Sequence, residues 1–185
     1  MTSITTTPAD IIQFWYSEPM NKHWFASTRT IDALIRERFE SLWQQAACGE
    51  LNSWLNTPEG CLALCIVLDQ FPLNMYRNQP LSFSTEQQAI RVCKQAIAQN
   101  FHQQLPKSRL AFLFMPLMHS ENLDDQALSI KMFDEAGLTD NAKFARHHQN
   151  IVKRFGRFPH RNAILGRDST QEEMDWLNSD DAFKG

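Results

Sequence analysis

The sequence lacks the short motifs that identify common classes of enzyme. It contains no G-x-S-x-G nucleophile turn, no Walker phosphate loop, no G-x-G-x-x-G dinucleotide loop and no H-E-x-x-H metal helix. Only six glycines are spread over 185 residues, which leaves little material for a glycine-rich loop around a phosphate. No motif therefore assigns a reaction or a catalytic residue to this chain.

Features of export, membrane insertion and thiol chemistry are also missing. The first residues, MTSITTTPAD, lack the basic start and apolar run of a signal peptide, and no apolar stretch approaches the roughly 20 residues that a membrane helix needs. The four cysteines form no C-x-x-C pair and lie in apolar segments, as small core residues do. We therefore expect a cytoplasmic protein that binds no membrane, metal or other cofactor.

The composition indicates a globular chain without a positive field. Eighteen Lys and Arg stand against twenty-one Asp and Glu, a net charge of −3, so nucleic acid is an unlikely partner. Hydrophobic residues make up 43% of the chain, with thirteen Phe and five Trp, enough for one real core. We expect a single helical domain over residues 1–185, with its core at about 8–178.

Capping residues and hydrophobic periodicity predict helices throughout. Thr7-Pro8 opens the first helix, Thr57-Pro58 opens a helix that is apolar on all sides and ends at Asp69, and a Ser169-x-x-Glu172 capping box opens the last. No segment alternates with the period of two that a strand requires. The sequence therefore predicts an all-α fold of about eight antiparallel helices joined by short links.

One short segment concentrates positive charge. "RFGRFPHRNAILGR" places four arginines, Arg154, Arg157, Arg161 and Arg167, around His160. Because a helix that ends at Gly156 meets a proline three residues later, residues 157–168 should form an irregular loop. Such a loop needs anions, either internal carboxylates that tie helices together or a bound phosphate or carboxylate. The candidate internal carboxylates are Asp69, Glu121, Asp124 and Asp125.

Histidines near this segment are the other candidates for chemistry. His148 shares the apolar face of its helix with Ile151 and Phe155, so it is either a hydrogen-bonded core residue or a ligand group. His119 and Glu121 could form an acid/base pair or two metal ligands, but no third ligand stands at a diagnostic spacing. We therefore expect no metal there.

Several segments together resemble a known family. "LDQFPLNMYR", "LMHSENLDDQ" and "HHQNIVKRFGRFPHRNAILGRDSTQEE" are similar to the uncharacterised, mainly bacterial family catalogued as domain of unknown function 924, and the similarity runs from about Ile11 to Leu177. The resemblance implies a tetratricopeptide-like right-handed superhelical stack, and it implies no activity. In this chain, Leu73 stands where the family usually has a basic residue.

Two hypotheses about function follow. The first is a tetratricopeptide-like interaction module for a protein or peptide, with an elongated groove and exposed aromatic anchors such as Trp24 or Trp54. The second is an enzyme or binding protein for a small anionic ligand. Its candidate ligand-binding residues are Arg77, His119, Glu121, His148, Arg157, His160, Arg161 and Asn162. If internal carboxylates saturate the arginines, the loop is structural instead.

Overall fold

Several helices begin where the sequence places a capping Thr or Asn before an apolar stripe. The computed structural model describes residues 6–179 and Ala182, and within them it contains helices and turns but no strand. The α-helices are α1 Pro8–Trp15, α2 Arg29–Ala47, α3 Pro58–Cys65, α4 Phe71–Met75, α5 Glu86–Ala98, α6 Leu110–His119, α7 Leu123–Glu135, α8 Thr139–Phe155 and α9 Gln171–Leu177. A π-helical turn, Ile66–Gln70, joins α3 to α4 without a break. The prediction of an all-α fold with about eight helices is confirmed.

One predicted cap is wrong by one residue. Thr170, not Ser169, caps α9: its hydroxyl accepts the N–H of Glu173, and the Glu173 carboxylate accepts the N–H of Thr170 at 2.8 Å. The segment "STQEE" offers the capping-box spacing in both registers. Glu173 is buried and paired with an arginine, as described below, and this tertiary contact selects the register that local sequence leaves open.

The chain forms two compact units. Within the described residues, unit 1 comprises residues 6–77 together with Leu81–Pro116, and unit 2 comprises Asn78–Pro80 together with residues 117–179 and Ala182.

Unit 1 is built around α3. As its all-round apolar sequence predicts, the residues from Cys61 to Leu68 are all buried, and α3 packs against α1 and α5. The aromatic core beside it includes Phe39 stacked on Phe71 with ring centroids 4.8 Å apart.

The helix that was predicted to end at Asp69 continues to Met75. Pro72 has no N–H, so it leaves the carbonyl of Leu68, four residues earlier, without its usual helical donor. The Thr85 hydroxyl donates to that carbonyl at 2.6 Å and accepts the indole N–H of Trp43 at 3.1 Å. The helix therefore continues through Pro72 because a side chain replaces the missing backbone donor.

Unit 2 is a helical hairpin closed by a loop and a short helix. α7 and α8 pack together and are joined at Gly137, whose φ of +64° places it in the left-handed region. α8 ends at Gly156, as predicted, with φ of +72°. The interior of this unit is unusually rich in polar groups: its buried polar residues include Ser120, Asp125, Gln126, Ser129, His148, Arg161, Asn162 and Glu173.

In the part of the chain that the structure describes, none of the helices combines the length and the apolar character needed to span a bilayer.

Replacing Thr85 by Val should destabilise unit 1 at nearly constant side-chain volume. The change leaves the Trp43 N–H and the Leu68 carbonyl buried without a partner, which should lower the free energy of unfolding by about 2 to 4 kcal/mol. Urea unfolding measures the difference. Thr30→Val, at an exposed position of α2, is the control and should change little; equal stability of the two variants would contradict the role given to Thr85.

Candidate functional site

A buried ion pair of unit 2 joins Arg157 to Glu173. Arg157 donates from Nε and Nη2 to the two carboxylate oxygens at 2.7 and 2.8 Å, and also from Nη2 to the carbonyl of Asp168 at 2.8 Å. The Glu173 side chain is only 2% exposed. These hydrogen bonds from Arg157, with further ones from Thr170 and Asn162, outweigh burial and lower the pKa of Glu173 to about 2.

A second bidentate pair joins Arg167 to Glu121. Arg167 donates to the two Glu121 oxygens at 2.7 and 2.9 Å and to Asn162 Oδ1 at 3.0 Å. Glu121 also accepts the backbone N–H of Phe158 at 2.8 Å. Burial opposes ionisation of Glu121, but the hydrogen bonds from Arg167 and Phe158 outweigh it and hold the pKa of Glu121 below its usual value.

We call this network the arginine clamp. Its members are Glu121, Arg157, Asn162, Arg167 and Glu173. Asn162 connects the two ion pairs, because its amide donates to Glu173 Oε2 at 3.2 Å and its oxygen accepts from Arg167. The clamp therefore ties the residues before α7, the loop after α8 and the first turn of α9 into one body.

The clamp answers part of the question raised by the cationic segment. Arg157 and Arg167 of this segment have their carboxylate partners in the clamp. Arg154, outside the clamp, pairs with Glu172 at the surface, at 2.8 Å. Glu121, one of the internal carboxylates considered from the sequence, binds Arg167 of this segment. Glu172 and Glu173 were missed, although the capping-box pattern of "STQEE" could have identified Glu173 as a fixed carboxylate.

Two histidines and one arginine lie around Phe158, and the backbone carbonyl of a third histidine, His119, binds that arginine. The Phe158 ring lies 5.5 Å from the His148 ring and 5.6 Å from the His160 ring, and the Arg161 guanidinium carbon lies 4.7 Å from its centre. Arg161 Nη2 donates to the carbonyl of His119 at 2.8 Å. We call these four residues, His119, His148, His160 and Arg161, the histidine cluster.

Burial keeps two of these imidazoles neutral. Burial lowers the pKa of His148 to about 3, although the hydrogen bond to the Phe144 carbonyl acts in the opposite direction and raises it. It lowers the pKa of His160 to about 4, with a further decrease from the charge of Arg161. His148 Nδ1 lies 2.8 Å from the Phe144 carbonyl, so Nδ1 carries the hydrogen and Nε2 carries the lone pair. The cluster thus combines the neutral rings of His148 and His160 with one guanidinium that is 6% exposed.

Of the eight predicted ligand-binding residues, Arg77 belongs to unit 1 and the other seven belong to unit 2. Arg77 donates to both oxygens of Asp32 at 2.9 and 3.1 Å and to Asn74 Oδ1 at 3.3 Å. The hydrogen bond to Asp32 raises the pKa of Arg77. This arginine therefore ties the segment after α4 to α2, a contact that no local pattern in the sequence indicates.

Among residues 6–179 and Ala182, no three His, Cys, Asp or Glu side chains are arranged to hold a metal ion.

A shallow, open depression lies at the start of α7, where Glu121, Asn122, Leu123, Asp124, Val152 and Gly156 line it. Its charged wall is acidic, so it does not suit an anion.

Arg157→Ala should lower the thermal midpoint by several degrees, because it removes the guanidinium from a carboxylate that is 2% exposed. Arg154→Ala is the matched control, since it breaks an ion pair whose two side chains are 51% and 62% exposed, and such pairs contribute little. Thermal unfolding of both variants tests the difference. A larger loss for Arg154→Ala would contradict the structural role of the clamp.

Stability should fall between pH 7 and pH 5 because of the histidine cluster. Folding lowers the pKa of His148 and His160 from 6.5 to about 3 and about 4. In that window the unfolded chain binds more protons, so acid favours unfolding, by up to about 2 kcal/mol for each histidine. Urea unfolding at the two pH values should show a smaller loss in the double variant His148→Gln, His160→Gln. An equal loss would refute this assignment.

Comparison with known proteins agrees with the fold. A family model described as a bacterial protein of unknown function (DUF924) matches residues 11–181. A solved structure of a protein of unknown function from Agrobacterium tumefaciens is 35% identical, with a TM-score of 0.86, and the match covers 92% of this chain and 96% of that one. No curated protein matches the sequence. The chain belongs to the bacterial DUF924 family.

Proposed function

We propose that this protein binds a small anionic ligand, one that carries a phosphate or a carboxylate, at the histidine cluster. The observation that carries the proposal is the position of Arg161 beside neutral imidazoles. A guanidinium that is 6% exposed acts on an anion through a less screened field than a surface arginine does. The half-buried rings of His119 and His160 would supply further hydrogen bonds.

The arginine clamp supports this site without taking part in it. His160 and Arg161 lie on the loop between α8 and α9. The next residue of this loop, Asn162, connects the two ion pairs of the clamp. Phe158 lies at the centre of the cluster. Its N–H donates to Glu121, and its carbonyl accepts from Arg167 at 3.2 Å. The loop is therefore fixed before a ligand arrives, which reduces the entropy lost on binding.

The same geometry favours binding over acid–base catalysis. An effective general base has a pKa near the working pH. His148 and His160 have pKa values of about 3 and about 4, so they take up a proton poorly at neutral pH. These rings suit a role as hydrogen-bond partners.

A protein or peptide partner is the second candidate. It is favoured by the exposure of two large apolar side chains, Phe25 at 77% and Phe144 at 58%. The anchors expected from the sequence are less suitable, since Trp24 and Trp54 are half-buried. The indole N–H of Trp24 is also used within the protein, where it donates to the carbonyl of Trp15 at 2.8 Å.

A thermal-shift series tests the proposal. The probes are inorganic phosphate, citrate, acetate and adenosine monophosphate, each applied to the wild type, to Arg161→Gln and to Arg154→Gln. A ligand at a hundredfold its dissociation constant adds about 2.7 kcal/mol to the stability of the folded state. We expect at least one anion to raise the midpoint of the wild type and of the Arg154→Gln control but not that of Arg161→Gln.

Two results would count against the anion site. If no probe moves the wild-type midpoint, the partner candidate takes precedence. If an anion raises the midpoints of the wild type and Arg161→Gln equally but not that of Arg154→Gln, the site lies at the surface arginine and not at the cluster. Calorimetric titration of the best probe should give one site per chain.

A further inference from the structure

We propose that α7 carries a buried subsite for one neutral hydroxyl group, formed by Gln126 Oε1 and Ser129 Oγ. Both residues are 0% exposed. Neither atom has a hydrogen-bond partner in the described part of the chain. Buried polar groups in native proteins are almost always satisfied, by protein, by water or by a ligand. Two such atoms on one helix therefore indicate that a water molecule or a ligand group binds there.

The orientation of the Gln126 amide is fixed by its own contacts. Its Nε2 donates to the carbonyls of Met118 and Ser120, both at 2.7 Å. Turning the amide over would place its oxygen against these two carbonyl oxygens, where acceptor would face acceptor. Gln126 Oε1 is consequently the atom that needs a donor.

The spacing of the two residues on α7 allows them to share one oxygen atom. Residues three positions apart on a helix lie on the same face, with Cβ atoms about 5 to 6 Å apart. A hydroxyl between them can donate to Gln126 Oε1 and accept from Ser129 Oγ. An anion would be repelled by the amide oxygen. A neutral hydroxyl suits both atoms, because it offers one donor to Gln126 Oε1 and one acceptor to Ser129 Oγ.

The subsite shares a backbone segment with the histidine cluster. Gln126 binds the carbonyls of residues 118 and 120, and Arg161 binds the carbonyl of His119 between them. Two sources of a hydroxyl fit this position: a water molecule, or a hydroxyl of the small anion. The second source rests on the proposed function, whereas the subsite itself does not.

The first experiment uses no ligand. A crystal structure at high resolution should show an oxygen atom within hydrogen-bonding distance of Gln126 Oε1 and Ser129 Oγ. Ser129→Ala should lower the thermal midpoint by a few degrees, because it removes a bonded hydroxyl. Ser53→Ala, at an exposed position of unit 1, is the control. An empty subsite, together with an unchanged or raised midpoint for Ser129→Ala, would overturn the proposal, since removing an unsatisfied hydroxyl does not destabilise.

The second experiment separates the two sources with lactate and propionate, carboxylates of equal chain length that differ by one hydroxyl. If lactate raises the wild-type midpoint more than propionate, and the difference is lost in Ser129→Ala, the ligand supplies the hydroxyl. If the two anions act alike while the crystal shows the bound oxygen, water supplies it. If neither anion acts but the bound oxygen is present, the subsite stands and water supplies its oxygen. If phosphate, citrate, acetate and adenosine monophosphate also leave the midpoint unchanged, the subsite stands and the proposed anion site fails.

Discussion

The interior of unit 2 depends on one pair of charges, Arg157 and Glu173. A carboxylate that is 2% exposed would be costly to ionise unless it were paired and fully hydrogen-bonded. Glu173 meets this condition with both guanidinium bonds, the Thr170 N–H and the Asn162 amide. The loop between α8 and α9 can therefore keep a fixed path despite having little regular structure. The second ion pair, Arg167 with Glu121, holds the same loop at Phe158, which lies between His148 and His160 of the histidine cluster.

The two roles of the cationic segment separate once the partners are known. Arg154, Arg157 and Arg167 bind carboxylates of unit 2, so their positive charge is balanced by internal partners. Arg161 lies inside the histidine cluster, where it is buried beside Phe158 and donates to the carbonyl of His119. The four arginines of this fourteen-residue segment thus serve both the rigidity of the loop and the histidine cluster.

Local patterns predicted the helices well because their causes are local. The Thr7 cap, the Gly156 stop and the apolar α3 all follow from neighbours in sequence. The helix end at Asp69 was wrong because the donor that lets the helix pass Pro72 comes from Thr85, a residue distant in sequence. The partners of the arginines could be predicted only in part. Glu121 stands in a visible polar cluster, whereas Asp32 reaches Arg77 through tertiary packing that no spacing encodes.

The neutral state of His148 and His160 distinguishes a binding site of this kind from an acid–base site. Nitrogen-15 NMR of the imidazole rings tests this state most directly. At pH 5.5, an ordinary histidine is mostly protonated. The structure predicts that His148 is still neutral at this pH, with its hydrogen on Nδ1 and none on Nε2. It predicts that His160 is neutral as well. Imidazolium signals from both residues at this pH, or a hydrogen on Nε2 of neutral His148, would contradict it.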